Sequence, residues 1–211
     1  MKRRSAIDDA VDALARGAIV ILPTDTVYGV AARPDVAGAT DRLFAAKARP
    51  RSLTVPVLVA DVVTARAVAE LAEPAERAAA AWWPGAVTLV LPRTDRSRGW
   101  DLGEARDTIG VRIPDEPLAL ELLRRTGPLA VTSANRSGAA PGRTCEELVG
   151  TFGDAVEVYL CRDDPLTGVA SSVLDLTSSP PRVLRDGDLP AEAIRRFIAG
   201  DNPLLDSGPL R

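Results

Sequence analysis

Four apolar segments of this 211-residue chain run directly into side chains suited to an anion. AIVIL (18–22) leads to Thr24, Asp25 and Thr26. TIGVRI (108–113) carries Arg112 just before Pro114. PLAV (128–131) leads to Thr132, Ser133, Asn135 and Ser137. RVLR (182–185) ends on Arg185, before Asp186 and Gly187. Ligands of α/β sheets sit beyond the carboxyl ends of strands. Hydroxyls and amides there orient a polar ligand, and guanidiniums select an anionic one. Each segment alone also reads as an ordinary turn or helix cap. The coincidence of four argues for a ligand site.

AAKARPRS (45–52) adds a second cationic pair. Lys47 is one of only two lysines, the other being Lys2. Pro50 is expected to push Arg49 out of a preceding helix into extended backbone, where residues two apart share a side. An ammonium beside a planar guanidinium suits a triphosphate. A solvated basic helix end, favoured by the helix dipole, has the same spacing. Neither a GxxxxGK[ST] loop nor a GxGxxG turn after the first strand occurs, so a nucleotide site here is not one of the commonest types.

Composition narrows the chemistry. Histidine is absent, which excludes Ser-His-Asp and Cys-His catalysis and His-containing zinc sites. The net charge of −3 does not favour a dedicated nucleic-acid binder. Cys145 and Cys161 lack a metal-ligand spacing and read as two buried free thiols. The start, MKRRSAIDD, lacks the apolar stretch of a signal peptide, and the longest apolar runs are too short to span a bilayer. A soluble cytoplasmic protein is the expectation.

The elements that must position these residues alternate. Helical periodicity covers 7–17, 35–47, 61–72, 74–83, 117–127, 145–153 and 189–200. Strand-like runs cover 18–22, 55–59, 86–91, 108–113, 128–135, 155–160, 171–176 and 182–185. PTDTVYGVAAR (23–33) and RTDRSRGWDLGEARD (93–107) read as loops, the second as a surface loop. WWPG (82–85) reads as core and helix stop rather than a base-stacking platform. The pattern predicts an α/β fold with an open, twisted, mixed sheet. One domain over residues 1–200 and a flexible tail over 201–211 are expected.

PTDTVYGV, KARPR, WWPGAVTLVL, TIGVRIP, TSANRSG, GVASSVLDL and RVLRDG stand in the order found in the YrdC-like family. Over roughly residues 7–198 the chain resembles the short, single-domain members of that family. The resemblance implies helices flanking the sheet around a deep basic cavity. It implies a reaction joining L-threonine, bicarbonate and ATP into threonylcarbamoyl-AMP and pyrophosphate, with Mg²⁺ accompanying ATP. Other proteins would then carry the threonylcarbamoyl group to tRNA. Carried over motif by motif, Lys47 and Arg49 would be catalytic and hold the ATP phosphates. Thr108, Ser133, Asn135, Gly142 and Arg185 would be further ATP contacts. Thr26, Arg112 and Ser171 would bind threonine, and Tyr28 would shape the pocket. No protein general base stands out.

The chain departs from the family pattern at Ala60, Glu116 and Ala170, where many members carry other polar residues. A competing reading is a non-catalytic module binding double-stranded RNA or tRNA, through a patch of Arg42, Lys47, Arg49 and Arg51. A hydrogenase-maturation type of carbamoyl-adenylate enzyme is a third, but its accompanying acylphosphatase and zinc-finger segments are not in this sequence.

Overall fold

The computed structural model describes residues 6–166 and 168–200. The anticipated tail over 201–211 lies outside the described residues. In chain order the elements are α1 (Ala6–Ala15), β1 (Val20–Leu22), β2 (Gly29–Ala32), α2 (Ala39–Lys47), β3 (Val57–Leu58), α3 (Val62–Val68) and α4 (Ala75–Trp82). Then follow β4 (Val87–Pro92), α5 (Asp95–Arg98), β5 (Thr108–Arg112), α6 (Pro117–Thr126), β6 (Leu129–Ser133), α7 (Cys145–Phe152), β7 (Val158–Tyr159), β8 (Ser172–Asp175), β9 (Arg182–Arg185) and α8 (Ala191–Ile198).

The nine strands form one open sheet in the order β7-β1-β2-β6-β3-β5-β4-β8-β9. Three pairs are parallel (β1–β7, β3–β5, β4–β8) and the other five antiparallel, so the sheet is mixed, as expected. Side chains alternate across each strand. Ile19, Ile21, Val57, Leu89 and Val111 enter the larger core on one face. Val20, Leu22, Leu58 and Val131 enter a smaller core on the other, with α1 and α6.

Three readings of the sequence need correction. Residues 29–32 were expected in a loop but form β2, between β1 and β6. GVAA carries no β-branched run to signal a strand, yet its small side chains are required. A Cβ on Gly29 would stand 2.4 Å from a Val131 methyl carbon. Residues 93–107 are not a surface loop: they hold the short α5 and bury Arg93, Ser97, Trp100 and Leu102. Cys145 and Cys161 are not free thiols but a disulfide joining the start of α7 to the chain after β7. A separation of 16 residues held no signal that the fold returns the two to each other.

WWPG behaves as a core segment. Trp82 packs against the Phe197 ring of α8, centroids 4.5 Å apart and tilted by 51°, and Trp83 Nε1 donates to the Val87 carbonyl.

Candidate active site

Across β6, β3, β5, β4 and β8, on the face opposite the larger core, a cavity of about 250 Å³ opens. Its wall contains Thr88 and Val90 from β4, Thr108, Gly110 and Arg112 from β5, and Val131 and Ser133 from β6. These positions are two apart along each strand, so they share the face. The site therefore lies across the sheet, not beyond one row of carboxyl ends. The cause is strand direction: Val57 pairs with both Val111 and Ala130, with β5 parallel and β6 antiparallel to β3. Arg112 and Ser133 consequently sit at opposite ends of the cavity floor.

At the Arg112 end, the guanidinium donates to Asp25 Oδ1 (2.6 Å), Thr26 Oγ1 (2.9 Å) and the Gly85 carbonyl (2.8 Å). Thr24 Oγ1 lies 2.9 Å from Thr26 Oγ1 and donates to the Val27 carbonyl (2.6 Å), closing the turn after β1. Burial pushes the Arg112 guanidinium below its ordinary pKa and Asp25 opposes that shift.

The next group stands on β8 and β9. Arg185 Nε donates to the Ser171 carbonyl (2.8 Å), and its Nη2 to Ser171 Oγ (3.0 Å). Ser171 Oγ lies 3.0 Å from Thr88 Oγ1, because β8 runs parallel beside β4. Gly187 lets the chain turn here: a Cβ on it would stand 2.4 Å from the Ala170 carbonyl oxygen and the Ser171 carbonyl carbon.

Arg49 supplies a third wall cation. Its Nε donates to the Leu53 carbonyl (2.8 Å) and its Nη2 to the Thr54 carbonyl (2.9 Å). Burial lowers its pKa, and the Arg185 charge lowers it further. Burial lowers Arg185 as well. Two like charges thus oppose each other around a cavity whose described wall includes no carboxylate. An anion between them relieves that repulsion.

Lys47 takes a different place from the one its spacing suggested. The chain leaves α2 through Ala48, in left-handed backbone at φ 48°, with Ala48 N–H donating to Ala45 O and Arg49 N–H to Phe44 O. This Schellman turn, not Pro50 alone, redirects Arg49. Lys47 is only 1% exposed. Its ammonium donates to the carbonyls of Ser133 and Asn135, with Asn135 Oδ1 at 3.4 Å. Burial, then the Arg49 charge, lowers its pKa to about 8. It stands behind the Ser133 end of the wall rather than on it.

Thr26, Arg49, Thr108, Arg112, Ser133, Ser171 and Arg185 are brought together on the wall. Lys47, Asn135 and Gly142 are not. Asn135 accepts from Ser133 Oγ (2.6 Å) and donates to the Arg136 and Ala139 carbonyls, bracing the loop after β6. Gly142 N–H donates to the Ala134 carbonyl in the same loop. Tyr28 is buried behind the turn, its hydroxyl accepting from Arg162 N–H (2.9 Å).

Three polar wall residues escaped the sequence reading, Thr54, Thr88 and Arg93. Arg93 carried a usable signal. It follows an apolar strand, as Arg112 and Arg185 end theirs, but the polar stretch after it pointed to solvent. The four cations of the competing RNA reading are divided among separate places, with Arg49 on the cavity wall. Arg42 donates to the Gly17 carbonyl (2.7 Å), Lys47 is buried, and Arg51 pairs with Asp41 and Asp101.

A family model described as "Telomere recombination", for Sua5, YciO and YrdC proteins, matches residues 12–187. The chain belongs to the Sua5/YciO/YrdC family. A Mycobacterium tuberculosis member, provisionally named a threonylcarbamoyl-AMP synthase, is 40% identical over 201 residues, covering 95% of this chain and 92% of its own. The threonylcarbamoyl-AMP synthase of Pyrococcus abyssi is 36% identical over 184 residues, 86% of this chain and 54% of its own. The crystal structure of P. abyssi Sua5 complexed with L-threonine superposes with a TM-score of 0.83 at 31% identity, covering 99% of this chain and 63% of that one. The α/β architecture described above is thus that of the Sua5/YciO/YrdC family. No helix among the described residues is long and apolar enough to cross a membrane.

Proposed function

We propose that this protein is an L-threonylcarbamoyladenylate synthase, converting L-threonine, bicarbonate and ATP into threonylcarbamoyl-AMP, pyrophosphate and water for tRNA modification. One observation carries the reading: Arg49, Arg112 and Arg185 line one cavity together with the hydroxyls of Thr26, Thr88, Thr108, Ser133 and Ser171, and its described wall includes no carboxylate. In this reading the triphosphate lies towards Arg49 and Thr108 and the amino acid towards Arg112 and Thr26, with the Arg185 charge felt by both Arg49 and Arg112. The names of the relatives point to the same reaction.

Arg49 and Arg185 contact phosphate oxygens, and Thr108 and Ser133 offer hydroxyls to the same nucleotide. Lys47 adds charge from behind Ser133, while Asn135 and Gly142 shape the loop that carries it. Arg112 offers its guanidinium to the threonine carboxylate. Thr26 and Ser171 offer hydroxyls to the same substrate. The threonine amine attacks bicarbonate or CO₂ to give a carbamate. A carbamate oxygen then attacks the α-phosphorus and pyrophosphate leaves. Orientation and charge neutralisation supply the acceleration, with no protein general base assigned.

Mg²⁺ belongs to this scheme as part of the substrate, Mg–ATP. The wall offers guanidiniums and hydroxyls, a donor set that matches phosphate rather than a bare cation. A cytoplasmic location, and delivery of the product to tRNA-modifying proteins, belong to the same proposal.

The test is pyrophosphate release from ATP, with and without L-threonine and bicarbonate, with serine as control. Release requiring both co-substrates is the expected result. ATP hydrolysis indifferent to both would overturn the proposal.

A further inference from the structure

Arg93 is 2% exposed and heads the fully buried side chains by size. Its Nε donates to the Thr108 carbonyl (2.8 Å), its Nη1 to Ser97 (3.0 Å) and Trp100 (2.8 Å), and its Nη2 to Ala105 (2.9 Å). No carboxylate pairs with it among the described residues. One guanidinium thus gathers the start of β5 and three points of the 97–105 segment.

That segment in turn holds the stretch after α2. Val55 N–H donates to the Leu102 carbonyl (2.8 Å) and Glu104 N–H to the Arg51 carbonyl (2.9 Å). Arg51 also pairs with Asp101 at 2.5 Å. Gly103, at φ +118°, lets the two backbones meet: a Cβ there would stand 2.7 Å from the Arg51 carbonyl oxygen. The stretch held this way presents the Leu53 and Thr54 carbonyls, which receive the Arg49 guanidinium.

We propose that Arg93 is a positioning residue for the phosphate side of the site, fixing Arg49 through two successive layers of main-chain hydrogen bonds and Thr108 directly. The inference rests on the synthase reading for the identity of the ligand. A planar fork is needed because the carbonyls converge from several directions, and a lysine ammonium on a flexible stem does not reproduce that geometry. Since Arg49 is placed by carbonyls rather than by a carboxylate, moving those carbonyls moves the cation.

The experiment compares wild type, Arg93→Lys, Arg93→Met and Gly103→Ala. ATP affinity is read by calorimetry, KM for ATP and for threonine by pyrophosphate release, and folding by thermal melting. Arg93→Met should weaken ATP about tenfold and leave KM for threonine within about twofold, with Arg93→Lys between wild type and Met. Gly103→Ala, which keeps every Arg93 bond and strains the second layer, should give the same ATP-selective loss. A lower melting temperature with unchanged ATP affinity would make Arg93 merely structural and overturn the proposal. So would unchanged ATP affinity in Gly103→Ala, even if both Arg93 variants failed to fold. Wild-type protein that binds ATP without threonine-dependent pyrophosphate release would sink the synthase reading alone, leaving the affinity ratios to decide the role of Arg93.

Discussion

Arg112 and Asp25 form a largely buried ion pair at 2.6 Å, the guanidinium side chain 6% exposed and the carboxylate side chain, of intermediate burial, 16% exposed. The pair joins the end of β5 to the turn after β1, so the cation proposed to meet threonine already has an anionic partner. A carboxylate ligand must share that guanidinium with Asp25, using a fork that binds from more than one edge.

Breaking this pair from either side leaves a buried charge uncompensated. Arg112→Ala should cost about 3–5 kcal/mol of stability. In the folded fraction it should raise KM for threonine far more than KM for ATP. Urea unfolding and steady-state kinetics check the two parts. Equal changes in both KM values would remove the assignment of Arg112 to the threonine side.

Lys47 predicts a pH effect whose sign is fixed by its environment. Burial and Arg49 hold its folded pKa near 8, below the value of about 10.4 for an unfolded lysine. Above pH 8 the folded form loses its proton while the unfolded chain keeps it, so stability rises across that window. ATP binding should run the other way and weaken above pH 8, as the charge behind Ser133 disappears. Lys47→Arg, which stays charged, should flatten the affinity profile. Calorimetric titrations from pH 7 to pH 9.5 test it, and a profile identical in the variant would disprove the role.

Gly187 sits where backbone meets backbone. Adding a methyl would push on Ala170 and Ser171, whose carbonyl and hydroxyl hold Arg185. Gly187→Ala should therefore destabilise by about 1–3 kcal/mol and reduce turnover. Melting curves and kcat/KM measured together check it. A variant with wild-type values in both would mean that the turn relaxes without moving Ser171.

The disulfide predicts a redox-dependent stability. Cys145→Ser with Cys161→Ser should lower stability by about 3 kcal/mol, the loop-closure value for a bridge of this span. Wild-type protein in dithiothreitol should melt with the double variant. Insensitivity of the wild type to reductant would contradict a formed bridge.

Residue pattern alone determined much of this protein. Among the described residues the apolar runs marked eight of the nine strands, and the periodic segments marked seven of the eight α-helices, because burial on a face or in a layer imprints a period on the chain. Strand ends marked Thr26, Ser133, Arg112 and Arg185, since polar side chains that close an apolar run stand out locally, whereas Ser171 came from the family resemblance alone. β2 was missed because GVAA is selected by close packing against Val131, a contact from another strand. Strand direction was equally invisible: only the assembled sheet shows that β5 and β6 oppose each other, which spreads the site across a face. Tertiary structure also decided which cations face the cavity. Arg49 and Lys47 are two residues apart, yet the left-handed turn at Ala48 sends one to the wall and the other behind it. Arg93, in a stretch as polar as any solvent loop, is buried because carbonyls of residues 97, 100, 105 and 108 converge on it. Local pattern records what each residue needs, and only the packed chain supplies the partners that meet the need.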